Sequence, residues 1–203
     1  LDQHLEYVRT DEPRYIYRVS DNGIVRSTSD GENYNRRLED GILADNWDWI
    51  VFQQGSRDSG IASTYDNLPK LIAYVKDRVT NPNVRFAFNM TWAYAQHSNN
   101  PCFDNYGRSQ QTMYNGIVAA VQAKVCSIPD IGVIVPNGTA VQNARTSFVG
   151  DALTRDDCDH MTLDFGRYIA GLTFVSALTG ICVDAIPYAP NSLSDRRIAV
   201  AKE

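Results

Sequence analysis

Nothing in these 203 residues has the spacing of a metal site. The four cysteines, Cys102, Cys126, Cys158 and Cys182, form no Cys-x-x-Cys pair and no Cys/His cluster. That disfavours a redox or metal protein. An even cysteine count permits disulfides in an exported protein, with three possible pairings. The simpler expectation is free and mostly buried thiols, with Cys126 and Cys182, set among apolar residues, in the core. Positive charge is also lacking. The net charge is -5, and neutralising phosphates needs a basic face, so no nucleic-acid partner is expected. No apolar run is long enough to span a bilayer, and no membrane partner is expected either. There is no internal repeat, low-complexity tract or linker. What is left is a length that fits one domain. Its 43% hydrophobic and 21% charged residues are those of a globular chain.

Further absences concern the ends and the chemistry. The first residue is Leu1 rather than Met, which points to a processed or trimmed product. Leu1-Asp2-Gln3-His4 already lies in a helix-like stretch, and residues 197–203 stop within a helical pattern without a C-cap. Both ends read as cut. No Gly-x-Ser-x-Gly nucleophile elbow is present.

What is present alternates between strand and helix. Residues 14–20 and 23–28 flank Asp21-Asn22-Gly23, and Asn-Gly between two β-rich runs signals a hairpin. Residues 36–45 look helical, and 47–53 read as a buried strand. Leu68, Leu71, Ile72, Val75 and Val79 share one helical face. Residues 84–89 form the next strand. Met113, Ile117, Val118, Val121 and Val125 mark another helix, and 131–135 a further strand stopped by Pro136. A helix around 138–147 and a loop to residue 160 follow. The last long helix packs through Tyr168, Ile169, Leu172, Val175 and Leu178, with Gly180 suited to its C-cap. Such alternation implies a parallel sheet covered on both faces. Ligands bind outside the carboxyl ends of such strands. Chemistry is therefore sought in 53–60, 89–108, 137–140 and 156–160.

The 156–160 segment holds Asp157-Cys158-Asp159-His160. A histidine acting as general base needs a carboxylate on its other nitrogen. An aspartate three residues earlier reaches it across one turn, which selects Asp157, with Asp156 as the alternative and Asp159 pointing elsewhere. The competing reading is a helix N-terminus whose acids suit the dipole and whose histidine merely caps. Residues 53–60 offer amides and backbone N–H groups that could stabilise an oxyanion. A plain turn would use the same Gly, Ser and Asp. In the stretch from Asn89 to His97, Trp92 and Tyr94 could form a wall against a sugar or acyl group, or simply close the core. The sequons at Asn89 and Asn137 abut buried strand ends and read as coincidence.

Four blocks stand in order: Trp47-Asp48 with Gln53-Gln54-Gly55-Ser56; the stretch from Met90 to Tyr94; Gly138-Thr139-Ala140-Val141-Gln142-Asn143-Ala144-Arg145; and Arg155-Asp156-Asp157 with His160 and Gly166-Arg167-Tyr168. Together they resemble the SGNH (GDSL-type) hydrolase superfamily, and more closely a bacterial branch of mostly unassigned function common in gut Bacteroidetes and Firmicutes. The resemblance covers nearly the whole chain. It implies a flavodoxin-like three-layer α/β/α sandwich with a mostly parallel sheet, here with a small β-hairpin insertion near the N-terminus. It also implies ester hydrolysis without metal or cofactor. Asp157 and His160 would be two members of a triad. Gln54 would replace the usual oxyanion-hole asparagine, with the Ser56 backbone N–H as its companion. The Gly-Asn/Asp-Ser block that carries the nucleophile is absent from residues 1–203, as is the glycine of the second block. The expectation is thus a single SGNH-like domain over 1–203 lacking its first strand, cut within its last helix and inactive alone, with its serine upstream. Such a first strand would lie inside the sheet, and its loss would expose unpaired backbone. The expected substrate is a small-molecule or carbohydrate ester, with O-acyl or O-acetyl groups removed, and the expected location is periplasmic or extracellular. The alternative is a non-catalytic carbohydrate-binding module that has lost its nucleophile.

Overall fold

The structure is a computed structural model. It describes all residues except Tyr17, Asn22, Gly23 and 28–35. The chain divides into two compact units: Leu1–Ile50 with Asp66–Arg85, and Val51–Tyr65 with Phe86–Glu203.

The first unit opens with α1 (Asp2–Arg9). Strands β1 (Arg18–Asp21) and β2 (Ile24–Ser27) pair antiparallel, from Arg18 opposite Ser27 to Asp21 opposite Ile24. This is the pairing a hairpin requires; the Asn22-Gly23 turn expected from the sequence falls on residues outside those described. Helix α2 (Leu38–Ile42) is shorter than its sequence pattern. It begins where the Asp40 carboxylate accepts the Arg37 N–H at 2.8 Å, using a donor that the first turn leaves unpaired. Helix α3 (Leu68–Lys76) has Pro69 in its first turn, where a missing N–H costs nothing. Leu68, Leu71, Ile72 and Val75 are buried at helical spacing, while Val79 lies past the helix end.

The second unit holds the body of a sheet made by β3 (Trp49–Gln53), β4 (Arg85–Asn89) and β5 (Ile131–Val135). The strands lie side by side in that order, all parallel. Phe86 pairs with Ile131 and Ala87 with Val133, with an irregularity between Phe86 and Ala87. A parallel strand with both faces covered should be continuously apolar. The middle strand fits, since Phe86, Ala87 and Phe88 are all buried. Four helices complete the unit: α4 (Gln110–Lys124), α5 (Asn137–Arg145), α6 (Phe165–Thr179) and α7 (Asp195–Lys202). The Ser109 hydroxyl caps α4 by accepting the Thr112 N–H at 3.2 Å. Gly180, at φ +75°, ends α6 in the left-handed conformation that glycine adopts without strain. Val141, Leu153, Met161, Phe165, Ile169 and Leu172 form one buried cluster that fastens α5 and α6 to the loop between them. The architecture is α/β, a parallel sheet flanked by helices as in a flavodoxin-like sandwich.

The cysteines depart from expectation. All four are free, but Cys126 and Cys182 are exposed. Each sits just past the end of a helix, Cys126 after α4 and Cys182 after Gly180. Apolar neighbours in sequence do not bury a residue where the chain turns at the surface.

Candidate active site

The loop from 149 to 160 is shaped by its own aspartates. One oxygen of Asp157 accepts the N–H groups of Asp159, at 3.1 Å, and of His160, at 2.9 Å. This is the tight turn that aspartate favours, with Cys158 at its centre in a left-handed conformation, φ +61°. The other oxygen lies 3.0 Å from Nδ1 of His160. The backbone N–H of His160, then that of Asp159, then the imidazole hold the Asp157 carboxyl down at about 2. A carboxylate at Nδ1 keeps the proton on that nitrogen and leaves Nε2 as the base. The His160 side chain is 73% exposed, and among the described residues Nε2 meets no partner.

The neighbouring segment holds this loop in place. After β4 the chain runs irregularly, and its polar groups turn to the loop. The Trp92 indole N–H donates to the Asp159 carbonyl at 2.8 Å, and the Ala95 N–H to the Cys158 carbonyl at 2.9 Å. The Asp159 carboxylate accepts from the Ser98 hydroxyl at 2.8 Å and the Asn100 amide at 2.6 Å. It thus points away from the imidazole. A second tie lies at Asp151, which accepts the Gln96 N–H at 2.9 Å and the Gln110 amide at 2.7 Å. Arg145 Nε stands 2.9 Å from Asp151, an ion pair without a well-directed hydrogen bond. Burial lowers the pKa of this guanidinium, and Asp151 opposes the shift.

The oxyanion residue named from the resemblance is placed differently. Gln54 is buried. Its amide nitrogen donates to the Thr64 carbonyl at 3.0 Å and hydroxyl at 2.9 Å, and its oxygen accepts the Gly55 N–H at 2.9 Å. It fastens the turn after β3, with its amide nitrogen engaged by Thr64. Gln53 ends β3 and is exposed, whereas Gln54, the first residue past the strand, is buried. Ser56 is half-buried at the start of a short 3₁₀ turn, with its hydroxyl 3.3 Å from that of Tyr94. Ser59 is wholly buried and donates to the Ser56 carbonyl at 2.7 Å. Tyr94 is buried too, its ring edge-on to Phe103 at 5.8 Å, and burial raises its pKa. It closes the core and offers no wall to a substrate. Trp92 is half-buried, and its polar edge is spent on the loop.

One group escaped the sequence reading. Asn137 donates to Asn89 at 2.8 Å, and Asn89 donates to Gln53 at 2.5 Å. Gln53 and Asn89 end β3 and β4, and Asn137 opens α5 just past β5. The signal was an amide side chain at or just past the end of each strand.

A cavity of about 480 Å³ borders Asp157, lined by Thr154, Arg155, Asp156, Thr162 and Leu163. A larger one of about 550 Å³ lies among α5, α6 and α7 and touches neither Asp157 nor His160. Among the described residues no cluster of three or more His, Cys, Asp or Glu could hold a metal ion. Nor is any helix among them long and apolar enough to cross a membrane.

A parallel sheet with its polar groups gathered beyond the strands' carboxyl ends places the chain among flavodoxin-like α/β proteins. Within that class the chain belongs to the DUF4886 family, a domain of unknown function matched over residues 1–203. It is similar to the crystal structure of a DUF4886 family protein from Bacteroides uniformis. The TM-score is 0.90 and the identity 36%, over 99% of this chain and 75% of that one. No curated protein matches the sequence.

Proposed function

We propose that this chain carries the acid–base half of a serine-type ester hydrolase of the SGNH superfamily, removing O-acyl groups, with acetylated carbohydrate as the substrate class. The observation that carries the proposal is the Asp157–His160 pair. A carboxylate that borders a cavity stands 3.0 Å from Nδ1, and the opposite nitrogen of the exposed ring meets no partner among the described residues. This is the arrangement that lets an imidazole take a hydroxyl proton and return it to a leaving alcohol. Under this reading the attacking serine lies outside residues 1–203, because no Gly-Asn/Asp-Ser block occurs within them; the burial of Ser59 and the 3.3 Å contact of the Ser56 hydroxyl with that of Tyr94 support it.

The test is covalent labelling by a fluorophosphonate probe together with turnover of an aryl acetate. The protein expressed from its complete coding sequence should label on one serine and turn over in a His160-dependent manner. Residues 1–203 alone should hydrolyse no more than a His160→Ala control. Stoichiometric, His160-dependent labelling of Ser56 would put the nucleophile inside this chain. A complete protein with neither labelling nor turnover would leave the binding-module alternative.

A further inference from the structure

We infer that Gln53 is the side-chain donor to the carbonyl oxygen of the substrate, and that Asn89 and Asn137 are the positioning residues that aim it. The inference rests on the ester-hydrolase proposal and deepens it.

The amide row runs in one direction. Asn137 gives its N–H to Asn89, and Asn89 gives its N–H to the Gln53 oxygen. Asn89 and Asn137 are buried, whereas Gln53 is exposed. Once its oxygen is taken, Gln53 presents its nitrogen outward, and no partner among the described residues accepts from it. The Asn137 oxygen is buried without a hydrogen-bond partner. Reversing all three amides would instead bury an unpaired N–H pair there. An orphaned donor is rarer in folded proteins than an under-satisfied carbonyl, so the observed direction is the favoured one. Each amide in the row polarises the next and strengthens the terminal donor. The row and the Asp–His pair are also joined by one short segment, since Trp92, three residues after Asn89, holds the Asp159 carbonyl.

The chemistry then balances. A serine oxygen bonds to the acyl carbon, the carbonyl π pair moves onto its oxygen, and the serine proton passes to His160 Nε2. The Gln53 N–H donates to that oxygen, where negative charge develops. Collapse returns the pair, breaks the bond to the alcohol oxygen and hands that oxygen the proton from His160. Water repeats the sequence on the acyl-enzyme.

The test measures aryl acetate kinetics and thermal melting in the protein expressed from its complete coding sequence. Gln53→Ala should lower kcat by about a hundredfold with KM nearly unchanged, the usual loss for one oxyanion donor. Its melting temperature should fall modestly, because the buried Asn89 N–H loses its acceptor, so kcat is read per folded molecule well below the melting temperature. Asn89→Ala should lower kcat less and shift the NMR signal of the Gln53 side-chain amide. A Gln53→Ala kcat equal to wild type, with His160→Ala inactive, overturns the Gln53 role and leaves the pair standing. A wild type no faster than His160→Ala overturns the hydrolase proposal instead. Acetate titration read at the Gln53 side-chain amide then decides what remains. A saturable shift keeps Gln53 as a donor to a carboxylate or carbonyl oxygen, and no shift overturns that as well.

Discussion

Two loops at the carboxyl edge of the sheet solve the same problem in opposite ways. The turn after β3 is tied largely to itself, with Tyr106 reaching in to accept the Gly60 N–H and donate to the Arg57 carbonyl. Gln54 grips Thr64, the Thr64 hydroxyl lies within reach of the carbonyls of Asp58 and Ile61, and Ser59 and Tyr65 close on backbone oxygens of the same segment. The loop from 149 to 160 is instead held by its neighbour, through Trp92, Ala95, Gln96, Ser98 and Asn100. The turn after β3 buries Gln54 and Ser59 in doing so. The loop held from outside can leave Asp157 and His160 partly in solvent, at 40% and 73% exposure. A site needs this second arrangement, because groups that must meet a substrate cannot spend their donors on the fold.

Removing chemistry from the exposed loop should give the largest effect. In the protein expressed from its complete coding sequence, His160→Ala should lower aryl acetate turnover by about 10⁴-fold or more, as loss of a triad base does, while melting stays close to wild type. A fall of only a few-fold would erase the functional difference between the loops. Removing a fastener from the turn after β3 should do the reverse. Gln54→Ala orphans the Gly55 N–H and the Thr64 carbonyl, a destabilisation of about 1–3 kcal/mol. This should appear in denaturant titration, with turnover per folded molecule retained. A hundredfold loss of kcat with unchanged stability would return Gln54 to the oxyanion site.

Two smaller effects sharpen the contrast. Gly166 lies where α6 passes beneath the exposed loop. A Cβ there would stand 2.4 Å from the Leu153 carbonyl oxygen and 2.9 Å from Met161 Cβ. Gly166→Ala must therefore push the base of the loop outward, at a cost of about 1–3 kcal/mol, measurable as a lower melting temperature. Unchanged melting would mean that the loop is not packed as described. The smallest effect is on titration. The Asp157 carboxyl is lowered from 3.8 to about 2, so its folded value lies below its unfolded one. Its contribution is complete above pH ~4, the ordinary carboxylate value, and is lost as pH falls toward 2. Carbon-13 NMR of the Asp157 carboxyl should show a midpoint near 2. A midpoint near 4 would break the link to the backbone donors that shape the turn.

Much of this was legible in the chain. The hydrophobic spacing placed β5 and the long helices, because periodicity reports which face is covered. The Asp157–His160 contact was legible because three residues within one turn leave the side chains little choice. Gln53 and Gln54 were not separable in the same way. Both are glutamines at a strand end, and which one faces the edge depends on Asn89 arriving from a strand 36 residues away. Tyr94 looked equally able to line a cleft or close a core, and the arrival of Phe103 beneath it settled the matter.

The sequence by itself thus determined the alternation of strand and helix, the parallel sheet and the closeness of Asp157 to His160. Each of these follows from local periodicity or from the covalent reach of neighbouring residues. Only the tertiary structure decided which amides face outward, which aromatics are buried and which cysteines are exposed. Those outcomes depend on contacts between segments far apart in the chain, and local spacing carries no information about which segment arrives.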